Sequence, residues 1–345
     1  MSRRFEDLDP AAWRRLVVVA PNWLGDAVMC EPAIRAVGER LPHLEIVWAG
    51  NPVSQAALRG HPSITQFHPL RDRGLVSMIR SARGLAGLSA DAILVLRGSA
   101  RSGMLARLSG IPTRIGIDGE GRGLLLTHAI PRPGSKRPSP TIALYRSLVE
   151  TIGVDVVDAT PRLDPSEAEL AATATLFRGV EGPVLGIVPG GSKPSKRWPV
   201  ERFQRVIGEV GARFGAVAVF GGPDERPLVR SVVSSAPGGV EVLDLPDRGL
   251  TLDNLRGAIG RCRLLLTNDT GPRHLGIALG VPTIGLFGPT DHRWTVVPGA
   301  DERILLAEPF LDDDHVADHH PDACRIDRIP VSDVVAAIVE ELESE

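Results

Sequence analysis

Val184-Leu185-Gly186-Ile187-Val188-Pro189-Gly190-Gly191-Ser192-Lys193-Pro194-Ser195-Lys196-Arg197-Trp198-Pro199 passes from an apolar run through a small-residue turn into a helix start. The same form recurs about seventy residues on, in Leu266-Thr267-Asn268-Asp269-Thr270-Gly271-Pro272-Arg273-His274. Where a strand feeds a helix through such a turn, unpaired backbone N–H groups and the positive helix end favour an anion. A diphosphate suits two such turns. Of 39 basic residues only Lys136, Lys193 and Lys196 are lysines, and two of the three fall in this first turn. In a chain that otherwise uses arginine, a compact ammonium there points to a point-charge phosphate contact. The alternative is a solvated loop at a helix start.

Working outward, strands are expected at 184–188, 216–220, 242–245, 264–267 and 283–287, with helices at 199–213, 223–234, 252–261 and 270–279. Thr160-Pro161-Arg162-Leu163-Asp164-Pro165 breaks the pattern, and Ser166-Glu167-Ala168-Glu169 reads as a capped helix start. Before the break, strands at 16–20, 44–48, 91–96 and 114–117 alternate with helices at 26–41, 73–83 and 99–108. Such alternation predicts an α/β protein of two Rossmann-like domains, each with a parallel sheet, facing a cleft and binding ligands at the strands' carboxyl ends. The division expected is 1–164, 165–330 and a terminal amphipathic helix in 331–345 packing back on the N-terminal domain.

A chain of 345 residues and net charge −3 accommodates two domains and is no general nucleic-acid binder. The charge is uneven: nine basic residues against Asp118 and Glu120 between Arg97 and Arg146, fourteen acidic against three arginines from Asp301 onward. An anionic partner for the first half, or an ordinary arginine-rich surface, fits the former. Cys30, Cys262 and Cys324 are too few and scattered for a disulfide framework. Neither a signal-type N-terminus nor a run of 18 apolar residues is present, so a cytoplasmic protein touching a membrane at most peripherally is expected.

Asp26 follows Gly25 at the first strand-to-helix turn and is placed either to act as a general base or simply to cap the helix. His274 lies one helical turn after Thr270, so Asp269, Thr270, the Gly271 amide and His274 converge, unless His274 is a satisfied core histidine. Phe220-Gly221-Gly222-Pro223-Asp224-Glu225 offers a carboxylate at another strand end, as dinucleotide folds do to a ribose. Gly116 to Gly123 does not spell GxGxxG, and no P-loop occurs. His315, His319, His320 and Cys324 are metal-ligand types, but Asp312 to Asp318 reads as a solvated acidic loop, and its DxD lies outside any strand end.

Taken together, these segments resemble the ADP-heptose:lipopolysaccharide heptosyltransferases, and Pro21-Asn22-Trp23-Leu24-Gly25-Asp26-Ala27-Val28-Met29 looks most like the type II members. The likeness spans nearly the whole chain, through Gly280-Val281-Pro282-Thr283-Ile284-Gly285-Leu286-Phe287-Gly288-Pro289-Thr290-Asp291 to Cys324-Arg325-Ile326-Asp327-Arg328-Ile329-Pro330. The resemblance implies the two-domain glycosyltransferase fold called GT-B, an ADP-heptose donor held mainly by the C-terminal domain, an anionic Kdo/heptose lipid A acceptor, and inversion without a required metal. It assigns Asp26 as catalytic base, Ser192 and Lys196 to the diphosphate, and Asp269, Thr270, Gly271 and His274 to the donor loop. Glu225 matches the ribose contact and Leu250 the adenine pocket. Two other readings stay open: a GT-B transferase of UDP or GDP sugars, and a non-catalytic nucleotide-sugar module.

Overall fold

The computed structural model describes residues 5–71, 74–119, 121–131, 138–234, 238–307, 310–312 and 314–344. Lys136 and Asp313 lie outside the described residues. The chain divides into two units, one reaching Pro161 apart from residues 137–139, the other comprising those three and Arg162–Glu345.

In the first unit β1 (Arg15–Val19) leads to α1 (Leu24–Met29) and α2 (Glu31–Arg40), then β2 (Glu45–Gly50), α3 (Pro52–Ala57), β3 (Gln66–Pro69) and α4 (Leu75–Ala86). It continues with β4 (Ala92–Val95), α5 (Ala100–Leu108), β5 (Thr113–Ile117), β6 (His128–Ile130) and α6 (Thr141–Glu150). The single helix expected over 26–41 is two, because Pro32 at the start of α2 has no N–H to continue the α1 ladder. The strands form one six-stranded sheet in the order β3-β2-β1-β4-β5-β6, and every paired neighbour is parallel. Met78, Ala82 and Leu85 of α4 join Leu105 and Ala106 of α5 against Val17, Val19, Ile93 and Val95 of the sheet. That apolar spacing puts one face of each helix on the core.

The second unit runs α7 (Glu167–Ala174), β7 (Val184–Val188), α8 (Val200–Val210), β8 (Ala216–Val219), α9 (Arg226–Ser234), β9 (Val242–Asp244) and α10 (Leu255–Gly260). It closes with β10 (Leu264–Asn268), α11 (Gly271–Ala278), β11 (Thr283–Phe287), β12 (Glu302–Leu306) and α12 (Val331–Glu343). Its sheet is also six-stranded and parallel, in the order β12-β11-β10-β7-β8-β9. Read from the other edge, this is the strand order of the first unit. Ser166 and Glu169 form the expected capping box at α7. Phe203, Val206, Ile207 and Val210 of α8 pack with Val334, Ala337 and Ile338 of α12 into one core. The terminal helix, expected against the N-terminal domain, thus contributes its apolar side chains to the second unit's core.

In each sheet the chain reverses its direction of growth between two central strands, β1 and β4 or β7 and β10. Crevices open at the carboxyl ends of such pairs. The turns that follow these four strands therefore carry the candidate chemistry.

Candidate active site

In the second unit, the turn after β7 meets the turn after β10. Asn268 ends β10 fully buried, and its amide nitrogen donates to the carbonyls of Pro189 (2.8 Å) and Gly190 (3.0 Å). Its amide oxygen accepts from the Trp198 backbone N–H (3.3 Å). Trp198 is itself buried, donating its indole N–H to Ile329 O at 3.1 Å and meeting Phe203 edge-on. The glycine turn is thereby tied at both ends to a rigid strand and a core aromatic.

Lys196 reaches across this turn and donates to Asp269 Oδ2 at 2.9 Å. Burial pushes the Asp269 carboxyl up, but Lys196 and Arg273 more than offset it and hold it below the ordinary carboxylate range. Arg273 is fully buried: it forms a two-pronged pair with Glu302, donates to Thr295 Oγ1 at 3.1 Å and lies over the Phe287 ring. Thr295 in turn donates to Asp269 Oδ1 at 3.5 Å. Lys196 and Asp269 are brought together as a single charged unit on a buried arginine.

Thr270 stands at the N-cap of α11 without a side-chain cap bond, and its Oγ1 is buried with no partner among the described residues. His274 Nδ1 is in the same condition. Burial first, then Arg273, depresses the His274 imidazole to about 3, so it is neutral. Since Arg273 Nη1 can only donate to His274 Nε2 (3.4 Å), the ring proton sits on Nδ1, a donor. Buried polar atoms in folded proteins are almost always paired. A hydroxyl and an N–H at the start of one helix, beside the Gly271 amide, are donors of the kind an oxygen-rich anion accepts from.

Glu225 joins the glycine turn: its two carboxylate oxygens accept from Gly191 N and Gly222 N, both at 3.0 Å. A Cβ built on Gly190 would fall 2.2 Å from Glu225 Oε1, so a side chain there would push the Glu225 carboxylate off the turn. Ser192 is exposed on the same turn, whereas Leu250, half-buried, lies after β9 at the far edge of this end of the sheet. Asp318 of the acidic stretch accepts from Asp291 N and Trp294 Nε1, and Asp291 accepts from Ala317 N and Arg293. That stretch is a strap on the loop bearing Thr295. Among the described residues, no three His, Cys, Asp or Glu side chains are gathered to hold a metal ion.

In the first unit, Asp26 lies half-buried in the first turn of α1 behind an exposed Trp23. Cys30 donates its thiol to Asp26 O at 3.1 Å, and Tyr145 of α6 is hydrogen-bonded to that thiol. Burial pushes the Cys30 and Tyr145 protons well above their ordinary ranges, and the Asp26 charge adds to both shifts. Both groups are therefore neutral near the carboxylate, and Cys30 holds the Asp26 backbone carbonyl. At the end of β4 the buried Arg97 donates to Ala20 O, fastening the turn that leads to Asp26. Asn268, Arg273 with Glu302, Cys30, Tyr145 and Arg97 were not assigned roles from the sequence. A polar amide closing an apolar strand was the available signal for Asn268; the others depend on tertiary pairing.

The chain is 25% identical over 307 residues to lipooligosaccharide heptosyltransferase 2 of Haemophilus influenzae, covering 84% of this chain and 88% of that one. It is 26% identical over 302 residues to lipopolysaccharide heptosyltransferase 2 of Escherichia coli, covering 81% and 84%. A family 9 glycosyltransferase of Veillonella parvula superposes with a TM-score of 0.83 over 96% of this chain and 98% of its own, at 22% identity. The E. coli ADP-heptose heptosyltransferase II structure gives 0.79 over 95% and 98%, at 21% identity. Both structures share the two-sheet GT-B fold. The family model of glycosyltransferase family 9 (heptosyltransferase) matches residues 78–309, and the chain belongs to that family of glycosyltransferases.

Proposed function

We propose that this enzyme is an inverting heptosyltransferase that moves L-glycero-D-manno-heptose from ADP-heptose to the inner core of lipopolysaccharide. The relatives' names support the donor and acceptor class. The observation that carries the reading is the mouth of α11, where the Lys196–Asp269 pair adjoins the unpartnered Thr270 Oγ1 and His274 Nδ1.

In the proposed reaction, Asp26 takes the proton of the acceptor hydroxyl as its oxygen attacks the anomeric carbon. The bond from that carbon to the diphosphate oxygen breaks, and ADP departs with the electron pair. One Lys196 N–H is engaged by Asp269, leaving two to meet the developing charge. With the Gly271 amide, Thr270, the His274 Nδ1–H and Ser192, these donors are fixed before reaction, which is what makes such stabilisation effective. In this reading cationic and N–H donors carry the leaving group, and a divalent metal is not required. Glu225 keeps acceptor capacity on both oxygens for a ribose hydroxyl, and Leu250 offers an apolar wall to adenine. The acceptor is an anionic Kdo/heptose lipid A, so the enzyme works at the face of a membrane; among the described residues no helix is long and apolar enough to cross one.

Calorimetry with ADP, UDP and GDP tests the donor: ADP is expected to bind tightest, and tighter binding of UDP would remove the heptose reading. Transfer from ADP-heptose to Kdo-lipid A and to heptosyl-Kdo-lipid A then identifies the accepting sugar.

A further inference from the structure

The helices α4 and α5 bury one face each on the first sheet and turn the other outward. Leu75 and Val76 are 67% and 69% exposed there, and Ile79, Met104 and Leu108 are exposed as well. Leu124, in the turn beside α5, is 93% exposed. Of the ten exposed large apolar side chains among the described residues, these make six, so they form a concentration rather than the usual scatter.

Charge on the same two helices is all of one sign. Arg80, Arg83 and Arg107 are exposed between the apolar positions, and neither helix contains an aspartate or glutamate. Apolar side chains interleaved with arginine on an outward helix face suit a lipid interface, where the hydrocarbon seats below the headgroups and the guanidiniums meet phosphate. Nucleic acid would call for stacking aromatics, and both helices lack them. A second copy docked on the same face would set arginine against arginine.

Direction matters too. Each helix connects two parallel strands and so runs against them. Both helix N-termini therefore lie at the carboxyl end of the sheet, the end at which the Asp26 turn opens. Leu75, Val76 and Ile79 occupy that end of α4.

We propose that the outer face of α4 and α5 is a docking surface for an anionic phospholipid bilayer. It rests on the lipid-borne acceptor proposed above, and the Leu75, Val76 and Ile79 end of the face lies at the end of the unit where the base lies.

The test uses the full chain with phosphatidylcholine vesicles containing or lacking phosphatidylglycerol, read by sedimentation at matched salt. The parent is expected to bind the anionic vesicles and release them as salt rises. Combined Arg80→Gln, Arg83→Gln and Arg107→Gln should weaken that binding roughly 10²-fold, about fivefold per arginine. Combined Val76→Ser, Met104→Ser and Leu108→Ser should weaken it about tenfold or more. All six positions are exposed, so unfolding temperatures should match the parent. Turnover of a deacylated, water-soluble acceptor should be unchanged in both variants, while turnover of the same acceptor in vesicles falls. Equal binding of parent and variants, or a parent dimer that the variants dissociate, would overturn the proposal. A parent that binds anionic vesicles yet transfers heptose to neither acceptor would sustain the surface and refute the acceptor reading.

Discussion

The two units have one strand order and opposite furnishing. In the second, side chains sew the turns of the central pair together: Asn268 binds Pro189 O and Gly190 O, and Lys196 binds Asp269. In the first, the β1 turn carries an exposed Trp23 and a half-buried Asp26 on a six-residue helix, steadied from behind by Cys30 and Tyr145. A doubly wound sheet supplies a crevice in either case, and the residues after its strands decide what the crevice does. One is a braced cradle, which we propose holds a polyanion. The other presents a single carboxylate.

Removing that carboxylate is the severest way to break the comparison. Asp26→Asn keeps shape and hydrogen bonding but cannot accept a proton, so kcat should fall roughly 10²- to 10⁴-fold. With ADP held by the other unit, as proposed, its affinity should stay at the parent value by calorimetry. A fall in both together would mean that Asp26 serves the donor, and unchanged turnover would remove it as the base.

Next in size is Arg273→Ala. It leaves Glu302 buried without its partner and removes one of the groups that meet Asp269 and Thr295, a loss of about 3–5 kcal/mol of stability by denaturant titration. Arg273→Lys restores charge but not the two-pronged geometry, and should recover only part. If Arg273→Ala unfolds at the parent's denaturant midpoint, the cradle does not depend on its buried arginine.

Legibility in the sequence followed burial. The nine expected strands are present within a residue or two, and the three that sequence patterns did not show, β3, β6 and β12, are all sheet edges. An edge strand faces solvent on one side and carries polar residues, as Gln66-Phe67-His68-Pro69 and Glu302-Arg303-Ile304-Leu305-Leu306 do, so no apolar run marks it. The turns of the second crevice were readable because glycines and a rare lysine pair punctuate them. Glu302 was not readable, because it reaches Arg273 from β12, an edge that only the folded sheet places beside β11. Tyr145 was hidden likewise, on a helix more than a hundred residues from the cysteine it meets.

Lys196 sharpens the comparison at lower cost to the fold. A charged hydrogen bond to a diphosphate contributes about 1.5–3 kcal/mol, so Lys196→Ala should weaken ADP tenfold or more. Lys196→Arg should recover affinity only in part, since a guanidinium restores charge without the compact fit. Lys193→Ala, on an exposed residue, should matter less. Unaltered ADP affinity in Lys196→Ala at matched salt would mean that the lysine decorates a loop.

The smallest effect expected is a pH dependence, and its sign follows from where the proton resides. His274 is neutral in the folded chain down to about 3 because burial and Arg273 oppose a second proton, whereas the unfolded chain takes one near 6.5. The unfolded state therefore binds more protons as pH falls, and the stability present above 6.5 is lost progressively toward 3. The slope is at most about 1.4 kcal/mol per pH unit from this group. His274→Gln retains a polar side chain without titrating, so subtracting its stability curve from the parent's should isolate that slope between pH 6.5 and 4. A difference curve that is flat from pH 8 to 4 would mean that His274 is solvated or charged in the native state. The cradle would then lack the neutral, buried imidazole that distinguishes it from the crevice of the first unit.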